Sequence, residues 1–333
     1  MAFLTEYGMF LAKAATIVFA IAMVIGIIVN ASHKPKAKKG NLEFTDLSKH
    51  YRQQTEELQQ RLMEKKAFKQ WQKARQKSEN KKGPEQPCLF VLEFNGSMDA
   101  RETESLREEV TAVLAVAKPE DEVLLRLESG GGVVHGYGLA ASQLDRFRQQ
   151  GIPLTVAVDK VAASGGYMMA CIGNKIIAAP FAILGSIGVI AQLPNFHKLL
   201  QKNHVDFEQF TAGEFKRTVT LFGENTEKGR QKFQQELEQT HVLFKSFVQQ
   251  HRPQLDVSRV ATGEHWFGYQ ALELQLVDEI QTSDDYLMTK IAGHRVYKVN
   301  YQLKKGLADK VGIGSANVLF HWWQKLVQHS WQR

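Results

Sequence analysis

Ser164 lies in Asp159-Lys-Val-Ala-Ala-Ser-Gly-Gly-Tyr-Met-Met-Ala-Cys171, directly after the apolar run Pro153–Val158. The run predicts a buried strand and the residues after it a helix, with the serine and two glycines at the junction. A hydroxyl at such a junction stands beside free backbone N–H groups, the surroundings a serine nucleophile needs for acyl transfer. The same residues also suit an N-cap serine followed by glycines that allow close packing. A second junction, Val123-Leu-Leu-Arg-Leu-Glu-Ser-Gly-Gly-Gly-Val-Val-His-Gly136, ends another apolar strand in three consecutive glycines. Backbone without Cβ atoms approaches a ligand closely and offers it N–H donors. The phosphate-cradling pattern G-x-x-x-x-G-K-[ST] is missing, and Gly130–Gly136 lacks the G-x-G-x-x-G spacing. In a right-handed βαβ arrangement both junctions open at one edge of the sheet. The third segment is Phe210-Thr-Ala-Gly-Glu-Phe-Lys-Arg217. Lys216 acts as a general base only if it is neutral, which demands a desolvated site; otherwise it is a solvated surface lysine. His135 is the rival base and His197 a weaker one, and both also suit ordinary helix positions.

Taken together, four segments resemble the signal peptide peptidase A family of Ser–Lys proteases. They are Ala163-Ser164-Gly165-Gly166-Tyr167, Leu127-Glu-Ser-Gly-Gly-Gly132, Leu184-Gly-Ser-Ile-Gly-Val189 and Ala212-Gly-Glu-Phe-Lys216, and the resemblance extends over residues 86–282. It implies Ser164 as nucleophile, Lys216 as general base and Ser186 as the serine that orients the lysine. The backbone N–H groups of Gly131 and Gly165 would form the oxyanion hole. It also implies an α/β fold of the Clp-protease/crotonase type, built from repeated ββα units. The implied substrates are signal-peptide remnants or unfolded hydrophobic peptides. A homo-oligomer is implied too, because serine and lysine can come from neighbouring subunits in that family. The family usually carries Ser-Pro-Gly-Gly where this chain has Ser129-Gly130-Gly131-Gly132, which predicts a looser loop. A Ser–Lys pair needs neither histidine nor aspartate, and no G-x-S-x-G elbow is present. Two other classes remain: a catalytically silent membrane scaffold, and a crotonase-type acyl-CoA enzyme using the same paired donors.

These residues need elements to position them. Cys88–Phe94, Val123–Leu127, Leu154–Val158 and Lys175–Ala179 read as buried strands. Glu102–Val116 and Tyr137–Gln150 read as helices, and Thr226–Gln250 as a long helical region. Strands alternating with helices give an α/β domain. Residues 260–280 resemble the family's closing helix near the active-site rim. Phe181–Leu193 is apolar but too short to span a bilayer and is assigned to the core.

Ahead of that domain, residues 8–31 include Ala14–Val29, a stretch without a charge, and predict one transmembrane helix. The absence of a basic n-region argues for an uncleaved anchor, and the family resemblance implies the bacterial inner membrane. Lys34, Lys36, Lys38 and Lys39 follow it, so the positive-inside rule puts the catalytic domain in the cytoplasm. The family's better-known members are usually drawn with that domain on the outer face. The whole chain carries +7, while residues 33–83 hold 15 Lys and Arg against 6 Asp and Glu. Basic charge beside a membrane suits anionic headgroups; no recognition motif points to nucleic acid. The expected organisation is therefore a membrane anchor at 1–32, a basic helical linker at 33–84, a protease domain at 85–295 and a basic aromatic tail at 296–333. The tail suits either an interfacial amphipathic helix or one packed on protein. Cys88 and Cys171 give no disulfide framework and read as core thiols. No metal and no organic cofactor is expected.

Overall fold

Hydrophobic runs too short for helices and flanked by turn residues became the centre of a parallel sheet, as buried strands do. In the computed structural model, residues 40–81 and 86–303 are described, with single positions at 13, 16 and 18. Apart from those single positions, the expected membrane anchor lies outside the described residues, as does most of the C-terminal tail. Among those described, no helix is long and apolar enough to cross a membrane.

The main sheet contains β1 (Gly40–Asp46), β2 (Cys88–Asn95), β3 (Glu122–Glu128), β4 (Leu154–Val158), β6 (Lys175–Ala178), β9 (Glu279–Ile280) and β10 (Arg295–Leu303). Its order is β1-β10-β2-β3-β4-β6-β9, and the pairs from β10 to β9 are parallel. A smaller sheet has the order β5-β7-β8, from β5 (Val161–Ala163), β7 (Ile183–Gly185) and β8 (His265–Phe267). β4 and β6 each run on into a strand of this second sheet, and Ser129, just past β3, bridges to Ala162. The chain therefore steps repeatedly from one sheet to the other before its next helix.

Helices α1 (Leu47–Leu62) and α2 (Lys65–Lys81) fill most of the linker, and a break at Met63 and Glu64 separates them. Buried Ser48 at the start of α1 accepts from the Val296 N–H at 2.8 Å, which ties the linker to β10. α3 (Thr103–Leu114), α4 (Val134–Gln149) and α5 (Gly165–Ala170) contribute to the larger core, with Phe94, Val110, Tyr137, Leu144, Phe147 and Tyr167 inside it. The other face is closed by α10 (Ser283–Ile291), whose Tyr286 and Leu287 meet Leu124 and Ala157. Between these come α6 (His197–Lys202), the long α7 (Glu227–His251), α8 (Val257–Val260) and α9 (Gly268–Glu273).

Three expectations are corrected. Residues 260–280 do not form one closing helix, because Gly263 adopts φ +90° and the chain then builds β8, α9 and β9. Phe181–Leu193 is core only at its middle: Leu184 and Ile187 are buried, whereas Phe181 and Ile190 are each 78% exposed. The sheet also reaches past both expected limits of the domain, since β1 lies within the linker and β10 runs beyond residue 295.

Candidate active site

β5 and β7 pair in parallel with Ala163 opposite Gly185, so the next residues, Ser164 and Ser186, leave the sheet side by side. The Ser164 N–H donates to the Gly185 carbonyl at 2.8 Å, and the Ser186 N–H donates to the Glu264 carbonyl at 2.6 Å. Both serines have a left-handed backbone, with φ +53° at Ser164 and +50° at Ser186. For a residue with a Cβ, that geometry costs on the order of 1–3 kcal/mol and persists only where the surroundings impose it. Ser164 immediately precedes α5 but makes no side-chain capping bond. The N-cap alternative is therefore not the role its hydroxyl plays; it opens instead into a small cleft.

The cleft, about 80 Å³, is lined by Ser164, Gly165 and Gly132 together with apolar Val134, Met168 and Phe244. Gly131 packs against the backbone around Ser164: at φ +88°, a Cβ on it would come within 2.8 Å of the Ser164 Cβ and 2.6 Å of the Gly165 nitrogen. Only glycine fits there. The Gly131 N–H, however, donates to Ser129 Oγ at 3.1 Å. Of the three loop glycines, Gly132 is the one that lines the cleft. Sequence reasoning missed this, because three successive glycines carry no mark of which N–H is already engaged.

The glycine loop is pinned rather than loose. The Ser129 N–H donates to Val161 O at 2.9 Å, the Ala163 N–H to Ser129 O at 3.0 Å, and the Val133 N–H to Met98 O at 2.9 Å. Gly130 has open space where a Cβ would stand.

Lys216 is not brought to Ser164. It is exposed, and it does not line the cleft. Its segment rests on the start of α7: Lys228 pairs with Glu214, and Lys228 and Lys232 sit 5.7 and 5.4 Å from the Phe215 ring centre. The cleft meets the same helix at Thr240 and Phe244. Twelve residues of helix separate Lys228 from Thr240, or about 18 Å of rise. His135 is exposed on α4 and His197 half-buried on α6, and neither lines the cleft. His241 stands 3.2 Å from the Ile187 carbonyl and ties α7 to the turn after Ser186.

The cysteines are unsuited to nucleophilic work. Burial pushes the Cys171 thiol up to about 12, and Cys88 is likewise raised, chiefly by burial. Among the described residues, no group of His, Cys, Asp and Glu could hold a metal ion.

Two family models match nearly all of the chain: "Peptidase family S49 N-terminal" over residues 2–144 and "Peptidase family S49" over residues 146–297. The chain is 56% identical over 324 residues to the "Probable protease SohB" of Haemophilus influenzae, covering 93% of this chain and 92% of that one. It is 50% identical over 305 residues to the protein of the same description from Buchnera aphidicola subsp. Schlechtendalia chinensis, covering 87% and 100%. A solved structure of the 1510-N membrane-bound stomatin-specific protease, a lysine-to-alanine mutant with a substrate peptide, aligns at TM-score 0.43 and 10% identity. That alignment covers 68% of this chain and 96% of the solved one. On the family models and on identity across nearly the whole length, the chain belongs to peptidase family S49.

Proposed function

We propose that the chain is a membrane-anchored serine endopeptidase in which Ser164 attacks the peptide carbonyl and Lys216 serves as general base. The observation that carries this is Ser164 itself: a left-handed serine without a capping bond, at the mouth of a cleft walled by glycine backbone and apolar side chains. Strained residues of this kind concentrate at sites of chemistry. Ser186, beside it and equally left-handed, suits the role of holding the lysine. The Gly165 and Gly132 N–H groups suit an oxyanion hole, with Gly131 shaping the loop rather than donating. Losing one such donor costs about 3–4 kcal/mol of transition-state stabilisation.

Lys216 reaches a nucleophile in this reading only from another copy of the chain. Its exposure and its seat at the far end of α7 support a dyad shared between subunits. Exposed aromatic groups around it, including Phe210 at 89% exposure, support burial by such a neighbour, which would also desolvate the lysine. The assembly would then be a homo-oligomer with head-to-tail contacts. The alternation of strands between two sheets fits the Clp-protease/crotonase type of fold.

Apolar Val134, Met168 and Phe244 in the cleft favour hydrophobic peptides, including signal-peptide remnants or unfolded segments. Membrane attachment rests on the uncharged run Ala14–Val29, placing the catalytic domain on the cytoplasmic side by the flanking charge. The linker adds to it. Lys65, Lys66, Lys69, Lys73 and Lys77 are exposed on α2. They fall within about 120° around the helix, away from half-buried Phe68 and Trp71. A lysine stripe of this kind suits anionic headgroups.

Fluorophosphonate labelling and casein cleavage by the detergent-solubilised protein test the reading, with Ser164→Ala, Lys216→Ala and His135→Ala alongside. Loss in the first two with retention in the third is expected. An intact, assembled wild type that takes no label would leave a silent scaffold, and loss with His135→Ala but not Lys216→Ala would move the base to histidine.

A further inference from the structure

Beneath the cleft lies a hydroxyl chain that the proposed dyad does not use. Tyr137, on α4, is fully buried. Its hydroxyl donates to the Ser97 carbonyl at 2.8 Å and lies 2.5 Å from Ser129 Oγ, which in turn accepts the Gly131 N–H at 3.1 Å. A carbonyl can only accept, so the tyrosine proton belongs to Ser97 and the Ser129 hydroxyl donates to Tyr137. The chain Gly131 N–H to Ser129 to Tyr137 to Ser97 carbonyl then has a proton for every link. Burial raises the phenol above its ordinary range and keeps it a donor.

The ring of the same tyrosine does a second job. A Cβ on Gly165 would stand 2.7 Å from Tyr137 Cδ2 and 2.8 Å from its Cβ, so the ring lies directly under the residue that follows the nucleophile. One side chain thus holds both backbone segments that flank Ser164: the glycine loop through its hydroxyl, the start of α5 through its ring.

We propose that Tyr137 is a positioning residue that sets the spacing of the Gly132 and Gly165 N–H groups, working through Ser129 on one side and ring contact on the other. The proposal rests on the reading of Ser164 as nucleophile, but it concerns a residue that touches no substrate. A hydrogen bond inside a buried network has a steep cost when one partner is lost, and here the strain released would appear in the loop. Tyr137→Phe keeps the ring against Gly165 and frees the loop, and Ser129→Ala breaks the same chain one link nearer the cleft.

The test measures kcat, KM and the rate of fluorophosphonate labelling for wild type, Tyr137→Phe, Ser129→Ala and the double variant, with thermal melting as the control for folding. The expected result is a fall in kcat and in labelling rate of about tenfold or more in each single variant, with KM little changed, since a displaced oxyanion donor is felt in the transition state. The double variant should be no worse than the poorer single one, because both cut one chain. Tyr137→Phe with kcat and labelling rate within about twofold of a labelled wild type would overturn the proposal alone. A loss that tracks melting, or that adds fully in the double variant, would also overturn it and reduce Tyr137 to a core residue. Failure of wild type to label would instead remove the reading of Ser164 on which the proposal stands.

Discussion

Ser164 and Ser186 leave neighbouring parallel strands at the same level, and the Ser164 N–H is bonded to the carbonyl of the residue just before Ser186. Each has a backbone that ordinary residues avoid, with φ near +50°. The proposed nucleophile and its proposed partner serine are thus held by one strand pair, while the proposed base comes from a segment seated elsewhere.

Strain at Ser164 predicts a trade between stability and activity. Its φ of +53° and ψ of −118° suit glycine better than serine. Ser164→Gly should raise unfolding free energy by about 1 kcal/mol while abolishing casein cleavage. Chemical denaturation checks it; a less stable glycine variant would contradict the reading of strain.

Glycine at 165 is required by the Tyr137 ring. Gly165→Ala should destabilise the protein by about 1–3 kcal/mol through overpacking and suppress fluorophosphonate labelling. Gly130, by contrast, has open space around it. Gly130→Pro should keep full cleavage and gain about 0.5–1 kcal/mol through a stiffer unfolded chain. Lost cleavage in that variant would mean that the loop needs glycine there.

Arg252 is 3% exposed and makes two bonds to Asp278, at 2.9 and 2.8 Å, joining the end of α7 to β6, whose Ile176 N–H also donates to Asp278. Arg252→Leu removes both bonds but leaves Asp278, whose side chain is 31% exposed and keeps the Ile176 N–H, so the variant should cost about 1–3 kcal/mol. Melting and denaturant midpoints measure it. A change below about 1 kcal/mol would show that water reaches the pair freely.

Glu109 gives a pH dependence. It is 3% exposed and accepts from the Tyr301 N–H at 2.7 Å, and burial raises its carboxyl to about 7. The folded state prefers the protonated form, so the stabilisation is complete below the unfolded value near 4.5 and declines as pH rises towards 7. Wild type should lose roughly 2–3 kcal/mol across that window from this group. Glu109→Gln, which cannot ionise, should flatten the decline; identical pH profiles would exclude Glu109 as its source.

The central strands were legible in the sequence because burial on both faces leaves uninterrupted apolar runs, and β4 has the bounds that Leu154–Val158 suggested. Alternation was present in Arg-Val-Tyr-Lys-Val-Asn-Tyr-Gln-Leu303 but was merged with the basic tail. β1 carries mostly exposed residues and owes its place to its neighbour β10, a partner some 250 positions away in the chain that local pattern cannot reveal. At the site, motif order pointed to Ser164 and Ser186, which the fold brings together. It could not show that Gly131 is already hydrogen-bonded, nor that the Lys216 segment rests on the start of α7 while the cleft meets that helix at Thr240 and Phe244, because both follow from packing.

Mixing two inactive variants tests the shared dyad most directly. Ser164→Ala and Lys216→Ala are purified separately, dissociated, co-assembled in equal amounts and assayed on casein. If Lys216 serves a neighbour's Ser164, random assembly restores about a quarter of wild-type sites, because each site draws its two groups from two chains. No recovery in assemblies shown to contain both variants would contradict a dyad built between subunits.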